Sequence, residues 1–359
     1  MGNLRQTWAF SNFTARGIDG GSGFIAWHIL TKLLDEGYDV VLTVRTSAKG
    51  DAILQHLPEG KRRLVSYALV DEIAKEDAFD EVIRSHPNLT YVIHTASPVF
   101  QGAADIVASI ISPAINGATG ILKSVHKYGS SVSRVVLTSS TAAVVAPGAS
   151  KVFTEDHWAP HTLEKALAGE GSAYSTSKVS IPSQTPLLAE KAAWDFMRKA
   201  APPPSFTLTV INNTWTFGPI APFVASLSSV NMSNAGVRDL VAGVFRSGLP
   251  PTAPVFTWVD VRDVATAHVL SLTNPEAPGK RFVIAAGDFS NKTVCEIVRK
   301  RCPEVEAQLP PVDGDADDIG DQTVRLGNAR SRAVLGMSYL GLEESIGDTV
   351  RSLVRLVEK

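Results

Sequence analysis

Tyr174 and Lys178 stand four residues apart in YSTSK, a spacing that stacks two side chains on one face of a helix. A free tyrosine has a pKa of about 10 and gives up its proton poorly near neutrality. An ammonium about 4 Å away, at an effective dielectric of about 20, contributes roughly 4 kcal/mol, or about three pKa units at its upper end. That is enough to bring the phenol near working pH as a proton donor. An isolated Y-x-x-x-K is most often an ordinary surface pair. This one follows a glycine-rich turn and the run SRVVLTSS, whose Thr138, Ser139 and Ser140 end a strand about 35 residues upstream, and that order gives the pair chemical meaning.

The glycine-rich turn is DGGSGFIA, in which Gly20, Gly23 and Ala26 form G-x-x-G-x-x-A ahead of an amphipathic helix and a strand. Glycines let backbone N–H groups approach a pyrophosphate at the helix N-terminus, and a small third residue lets helix and strand pack closely. At the end of the next strand stands Arg45, with Lys49 four residues on. A carboxylate there would accept the ribose 2′-hydroxyl of NAD, whereas a guanidinium pairs with the 2′-phosphate of NADP. The expected cofactor is NADP(H), against the plainer reading of two solvated surface cations.

These residues need a scaffold, and the chain writes one. Near-continuous apolar runs at 39–45, 63–70, 89–96, 133–140 and 205–212 alternate with helical patterns at 24–36, 74–85, 104–128 and 187–200. Buried parallel strands separated by helices are the pattern of a doubly wound α/β domain. The strand before the glycine turn is poor, because NFTARGID places Arg16, Gly17 and Asp19 where a central strand should be apolar. We assign residues 1–217 to an NADP-binding Rossmann domain. Residues 218–359 form mainly a smaller C-terminal substrate-binding lobe, with a strand-helix unit at 255–272 that can return to the first domain.

The 359 residues are 44% hydrophobic and 19% charged, with a formal net charge of -2. That balance gives no electrostatic case for nucleic acid or an anionic membrane surface as partner. No run reaches the roughly 18 apolar residues of a membrane span, and the opening residues lack the apolar stretch of a secretory signal. Cys295 and Cys302 cannot make a disulfide framework and have no close ligands for zinc, so no metal is expected and a reduced, cytoplasmic setting fits. His94 reads as a hydrogen-bonded structural residue at a strand end. Asp260, Arg262 and Asp263 read as a helix cap with ion pairs. Trp158, Trp215 and Phe217 serve either as core or as the wall of a hydrophobic site.

GGSGFIA, the Arg45 strand end, HTASP (94–98), VVLTSS (135–140), YSTSK (174–178), LAEKAAWDF (188–196), FGP (217–219) and VDVRDVATAH (259–268) occur in one order along nearly the whole chain. Together they resemble the extended short-chain dehydrogenase/reductases, within the NAD-dependent epimerase/dehydratase superfamily. More narrowly they are similar to the dihydroflavonol reductase-like branch that includes fungal methylglyoxal, aldehyde and ketone reductases. The resemblance implies that Tyr174 protonates a carbonyl oxygen, that Lys178 binds the nicotinamide ribose and lowers the tyrosine pKa, and that Ser140 bonds the substrate oxygen. It also implies that Gly20, Gly23, Phe24, Ile25, Arg45, Lys49, Glu72, Ile73, Ala96, Ser97 and Thr138 hold the cofactor.

The implied activity is NADPH-dependent reduction of an aldehyde or ketone, plausible within secondary metabolism, by a monomer or homodimer. A sugar-nucleotide epimerase or dehydratase, and a nucleotide-binding protein with impaired catalysis, are the alternatives. The last follows from an insertion of about eight residues at 179–187, where Pro182 ends the Tyr174 helix by residue 181 and Thr185-Pro186 opens a second helix to about Arg198. Two smaller departures are Glu72 where Asp is usual and Asn213 in place of the proline that normally follows VIN.

Overall fold

The computed structural model describes residues 6–10, 21–96, 111–145, 152–160, 185–252, 256–312, 319 and 324–357. In chain order the strands are β1 (Gln6–Phe10), β2 (Asp39–Val44), β3 (Val65–Leu69), β4 (Tyr91–His94), β5 (Arg134–Ser140), β6 (Val152–Phe153), β7 (Thr207–Asn213), β8 (Trp215–Phe217), β9 (Thr257–Asp260), β10 (Arg281–Ile284), β11 (Gly287–Asp288) and β12 (Arg325–Leu326). Seven form one sheet in the order β10-β7-β5-β4-β1-β2-β3, every neighbouring pair parallel. The direction of winding reverses at β1, between β2 and β4. In open α/β sheets that reversal opens a crevice at the carboxyl ends of the strands, which is where ligands bind.

The first described strand is QTWAF, which begins six residues before NFTARGID; it is rich in residues that suit a pleated sheet and pairs on both sides, Trp8 opposite Val41 and Val92. Arg16, Gly17 and Asp19 lie outside the described residues.

Helices cover both faces of the sheet. On one side lie α1 (Gly21–Asp35) and α2 (Ser47–His56), followed by the single turn α3 (Glu59–Arg62). In α1 the buried Ile29, Leu30, Leu33 and Leu34 repeat at helical spacing and meet Val40, Leu42 and Ile93 of the sheet. Each fully buried aliphatic side chain of this kind contributes about 1.5–3 kcal/mol. The helix stops at Gly37, whose φ of 79° lets the Tyr38 N–H reach back to the Leu33 carbonyl at 3.0 Å.

On the other side lie α4 (Asp80–Ser85), α5 (Ser112–Tyr128) and α6 (Thr185–Lys199), with Ile121, Leu122, Val125 and Ala193 packed on Val92, Val135 and Leu137. Adjacent strand residues thus feed opposite layers, as the pleat requires. α4 is shorter than the expected helix over 74–85. Ile73 and Phe79 are both buried, and six residues on an α-helix rotate them about 120° apart. Turns over 73–79 let both enter one core. α6 begins at Thr185-Pro186, as the proline pair suggests.

The remaining elements are α7 (Ala235–Val241), α8 (Val261–Thr273), α9 (Asn291–Arg301), α10 (Ala329–Leu335) and α11 (Leu342–Val357). β8, β9 and β11 make a small sheet that shares a separate core with α7, α9 and α11, built on Phe217, Trp258, Phe289 and Ile346. β9 belongs to that small sheet, while α8 lies on the large one, where Val264, Ala267 and Leu272 join the α1 core. β6 and β12 form a two-stranded parallel sheet. Among the described residues no helix is long and apolar enough to cross a membrane.

Candidate active site

β5 ends in three hydroxyls because its last residues leave the sheet interior: Val135, Val136 and Leu137 are buried, whereas Thr138, Ser139 and Ser140 are half-buried at the rim. They border a cleft together with Ile25 of α1, Thr95 and Ala96 beyond β4, Ala114 and Ala118 of α5, Asn213 of β7, and Pro186, Ala189 and Glu190 of α6. Four alanines in that wall leave room for a flat ligand. Of the expected site residues, Ile25, Ala96, Thr138 and Ser140 meet here. Gly20, Ser97, Tyr174 and Lys178 lie outside the described residues, as do residues 179–184 of the expected insertion.

Ser140 caps the short turn Thr141–Ala143, its Oγ accepting the Ala142 N–H at 3.1 Å. An oxygen that accepts a backbone bond keeps its own hydrogen to donate. Thr138 is committed differently. The buried His268 donates from Nδ1 to the Val264 carbonyl at 2.8 Å, which leaves Nε2 as acceptor for the Thr138 hydroxyl at 2.7 Å. Burial holds His268 down at about 4, so the ring stays neutral and the tautomer is fixed. Ser139 donates to the Glu190 carboxylate at 2.7 Å. Asn213 turns its amide to Thr216 Oγ1 at 3.1 Å.

Gly23 sits in the first turn of α1 and Phe24 is buried behind it, its ring edge-on to His28 with centroids 5.7 Å apart. Arg45 directly follows β2 and Lys49 lies in the first turn of α2, both half-buried. Arg45 Nε is buried and has no hydrogen-bond partner among the described residues. Burial, and then the neighbouring Arg45 guanidinium, push Lys49 down to about 8. A buried donor without a partner beside a second cation is what a ligand phosphate would satisfy. Glu72 is exposed and lies 3.9 Å from Lys75. Ile73 is buried so close to α5 that a Cβ on Gly117 would meet it at 3.2 Å.

The FGP turn follows β8 and is held by several side chains. Gly218 has a φ of 136°, and a Cβ there would lie 2.6 Å from Val261. His28 Nε2 donates to the Pro219 carbonyl at 2.9 Å, and Asn234 donates to the Gly218 carbonyl at 2.8 Å. Asp260 caps α8 and pairs with Arg262, which also reaches Asp348 at 2.7 Å, a structural cluster as expected. His94 is buried edge-on to Phe79 and held at about 4 by desolvation. Phe217 is core, Trp215 borders a separate apolar pocket with Phe245 and Phe289, and Trp158 lies over Arg281.

Sequence reasoning missed Glu190, Arg281 and Asn212, which form a buried polar network behind the serines. The signal was there: one acid inside an otherwise apolar helix face, and one arginine opening the buried strand RFVIAA. Charges in such places need each other.

Comparison with known proteins places this geometry. A ketoreductase of Aspergillus niger, azaE, is 42% identical over 338 residues, covering 94% of this chain and 96% of its own. Gre2 of Candida albicans, solved in complex with NADPH, superposes with a TM-score of 0.83 at 29% identity over 98% of this chain and 99% of that one. Yeast methylglyoxal/isovaleraldehyde reductase Gre2, complexed with NADPH, gives 0.84 at 30% identity over the same shares. Residues 18–285 match the NAD dependent epimerase/dehydratase family, and with the sheet order, the crevice and the serine rim described above the chain belongs to that family, the extended short-chain dehydrogenase/reductases.

Proposed function

We propose that this protein reduces an aldehyde or ketone to an alcohol with NADPH. The observation that carries the reading is the Arg45–Lys49 pair, with a buried guanidinium donor lacking a partner among the described residues, at the strand end where an NAD-specific site would present an acid. Arg45 and Lys49 would hold the 2′-phosphate, Gly23 and the start of α1 the pyrophosphate, and Ile25, Ala96 and Thr138 the walls around it. Glu72, Ile73 and Ser97 keep the cofactor-pocket roles that the family resemblance gives them. Bound NADPH supplies the hydride.

The protein's own part is to hold the carbonyl and move a proton. Ser140 donates its hydroxyl hydrogen to the carbonyl oxygen, Tyr174 gives the proton that completes the alcohol, and Lys178 keeps the phenol acidic enough to do so. The lobe built on β8, β9, β11, α7, α9 and α11 covers the substrate. Cys295 and Cys302, both unpaired and buried, suit a reducing cytoplasm.

Loss of NADPH absorbance against a panel of small aldehydes, diketones and aromatic ketones tests this. Turnover is expected with at least one class, and Tyr174→Phe should lower kcat by about a hundredfold or more. Equal use of NADH and NADPH would remove the role given to Arg45. NADPH binding without oxidation across the panel would overturn reduction as the activity.

A further inference from the structure

Glu190 borders the cleft beside Ser139 and Ser140, yet it is 1% exposed and surrounded by donors. Oε2 accepts from Ser139 Oγ at 2.7 Å and Asn212 Nδ2 at 2.8 Å. Oε1 accepts from Arg281 Nε at 2.6 Å and Trp194 Nε1 at 3.2 Å. An ionised carboxylate has about four lone-pair sites, and here they are filled. A carboxylate so saturated has no site left for exchanging a proton with substrate, so its place beside the cleft calls for another explanation.

The wider bonding supplies one. Asn212 Nδ2 also donates to the Ser140 carbonyl at 3.2 Å. Arg281 Nη1 donates to the carbonyls of Glu155 at 2.9 Å and His157 at 2.7 Å, Nη2 donates to that of Ala143 at 3.3 Å, and the Trp158 ring lies 3.6 Å from the guanidinium carbon. α6, the end of β5, the turn after Ser140 and the loop carrying Trp158 are therefore all bonded to one ion pair. A buried ion pair is weak evidence for stability, since apolar side chains of equal volume often serve as well. Hydrogen bonds add direction. Successive strand residues share a rigid peptide plane, so anchoring Ser139 and the Ser140 carbonyl sets the position from which the Ser140 hydroxyl projects.

We propose that Glu190, neutralised by Arg281, is a positioning residue that sets the Ser140 hydroxyl in the cleft through Ser139 and Asn212. The kinetic side of this rests on the carbonyl-reductase reading above; the structural side does not.

The test uses the full chain with Ser139→Ala, which removes one donor from Glu190 without adding volume, and Ser139→Thr, which keeps the hydroxyl. Misplacement of a reacting group by about 1 Å costs up to about a hundredfold, so Ser139→Ala should lower kcat at least about tenfold while KM and the NADPH Kd stay within about twofold. Ser139→Thr should restore kcat to within about threefold of wild type, since the bond to Glu190 is remade.

Amide hydrogen exchange over residues 139–143, read by mass spectrometry, should be faster in Ser139→Ala and normal in Ser139→Thr. Wild-type kcat in Ser139→Ala, a loss that Ser139→Thr does not restore, or unaltered exchange would each overturn the proposal. If the wild-type chain oxidises NADPH with no carbonyl, the reductase reading fails alone and the exchange measurement still decides the positioning.

Discussion

Arg45 and Lys49 illustrate how one side chain can tune its neighbour. Lys49 titrates near 8 because it is partly desolvated and stands beside a guanidinium that cannot lose its charge. Below that pH it is an ammonium ready for a phosphate; above it, binding must first bring a proton. Affinity for NADPH should therefore fall above about pH 8, by up to about tenfold per pH unit, while affinity for NADH stays level. Calorimetric titration across that range checks it, and Lys49→Arg should abolish the slope. Both cations were legible from the sequence because strand ends are predictable. Glu190 and Arg281 were harder, since 91 residues separate them and only the folded sheet brings β10 beside β7.

Among the elements, the turn after β8 is constrained in two ways at once. Gly218 combines a φ of 136° with contact to Val261 that leaves no space for a methyl group. Gly218→Ala should cost about 1–3 kcal/mol from backbone strain, with steric cost added. Urea unfolding would measure it. Adding Val261→Ala should recover the steric part only, and full recovery would show that the backbone angle does not matter there.

The long strands were readable within a few residues, because Val, Ile and Leu in unbroken runs have few other uses. The strands β6, β8, β11 and β12 were not: each has two or three residues, and distant partners rather than local pattern make them strands. The first strand was hard to read for a related reason: QTWAF ends ten residues before Gly20, and pairing with β2 and β4 rather than local pattern identifies it.

Taken as a whole, the fold keeps imidazoles neutral inside. His94 and His268 are held at about 4 against an ordinary value of 6.5, each by desolvation. A histidine with a depressed folded pKa contributes stability that is complete above its unfolded value and lost as pH falls toward the folded one. Each shift is worth on the order of 3 kcal/mol, against a typical total of about 5–15 kcal/mol. His28, also lowered to about 4 by desolvation but only partly buried, adds in the same direction. The urea midpoint should accordingly drop steeply from about pH 6.5 to about pH 4.5, and a level midpoint across that interval would refute the argument.

The Arg281 guanidinium has a consequence in time as well as in space. The strand ends that carry Arg45 and the serines are complete by residue 140, but the ion pair behind the serines waits for residue 281 on an edge strand of the sheet. Domains generally fold as units during synthesis. In each newly made chain the serine wall therefore cannot be locked until residue 281 has been added, long after the serines themselves have left the ribosome.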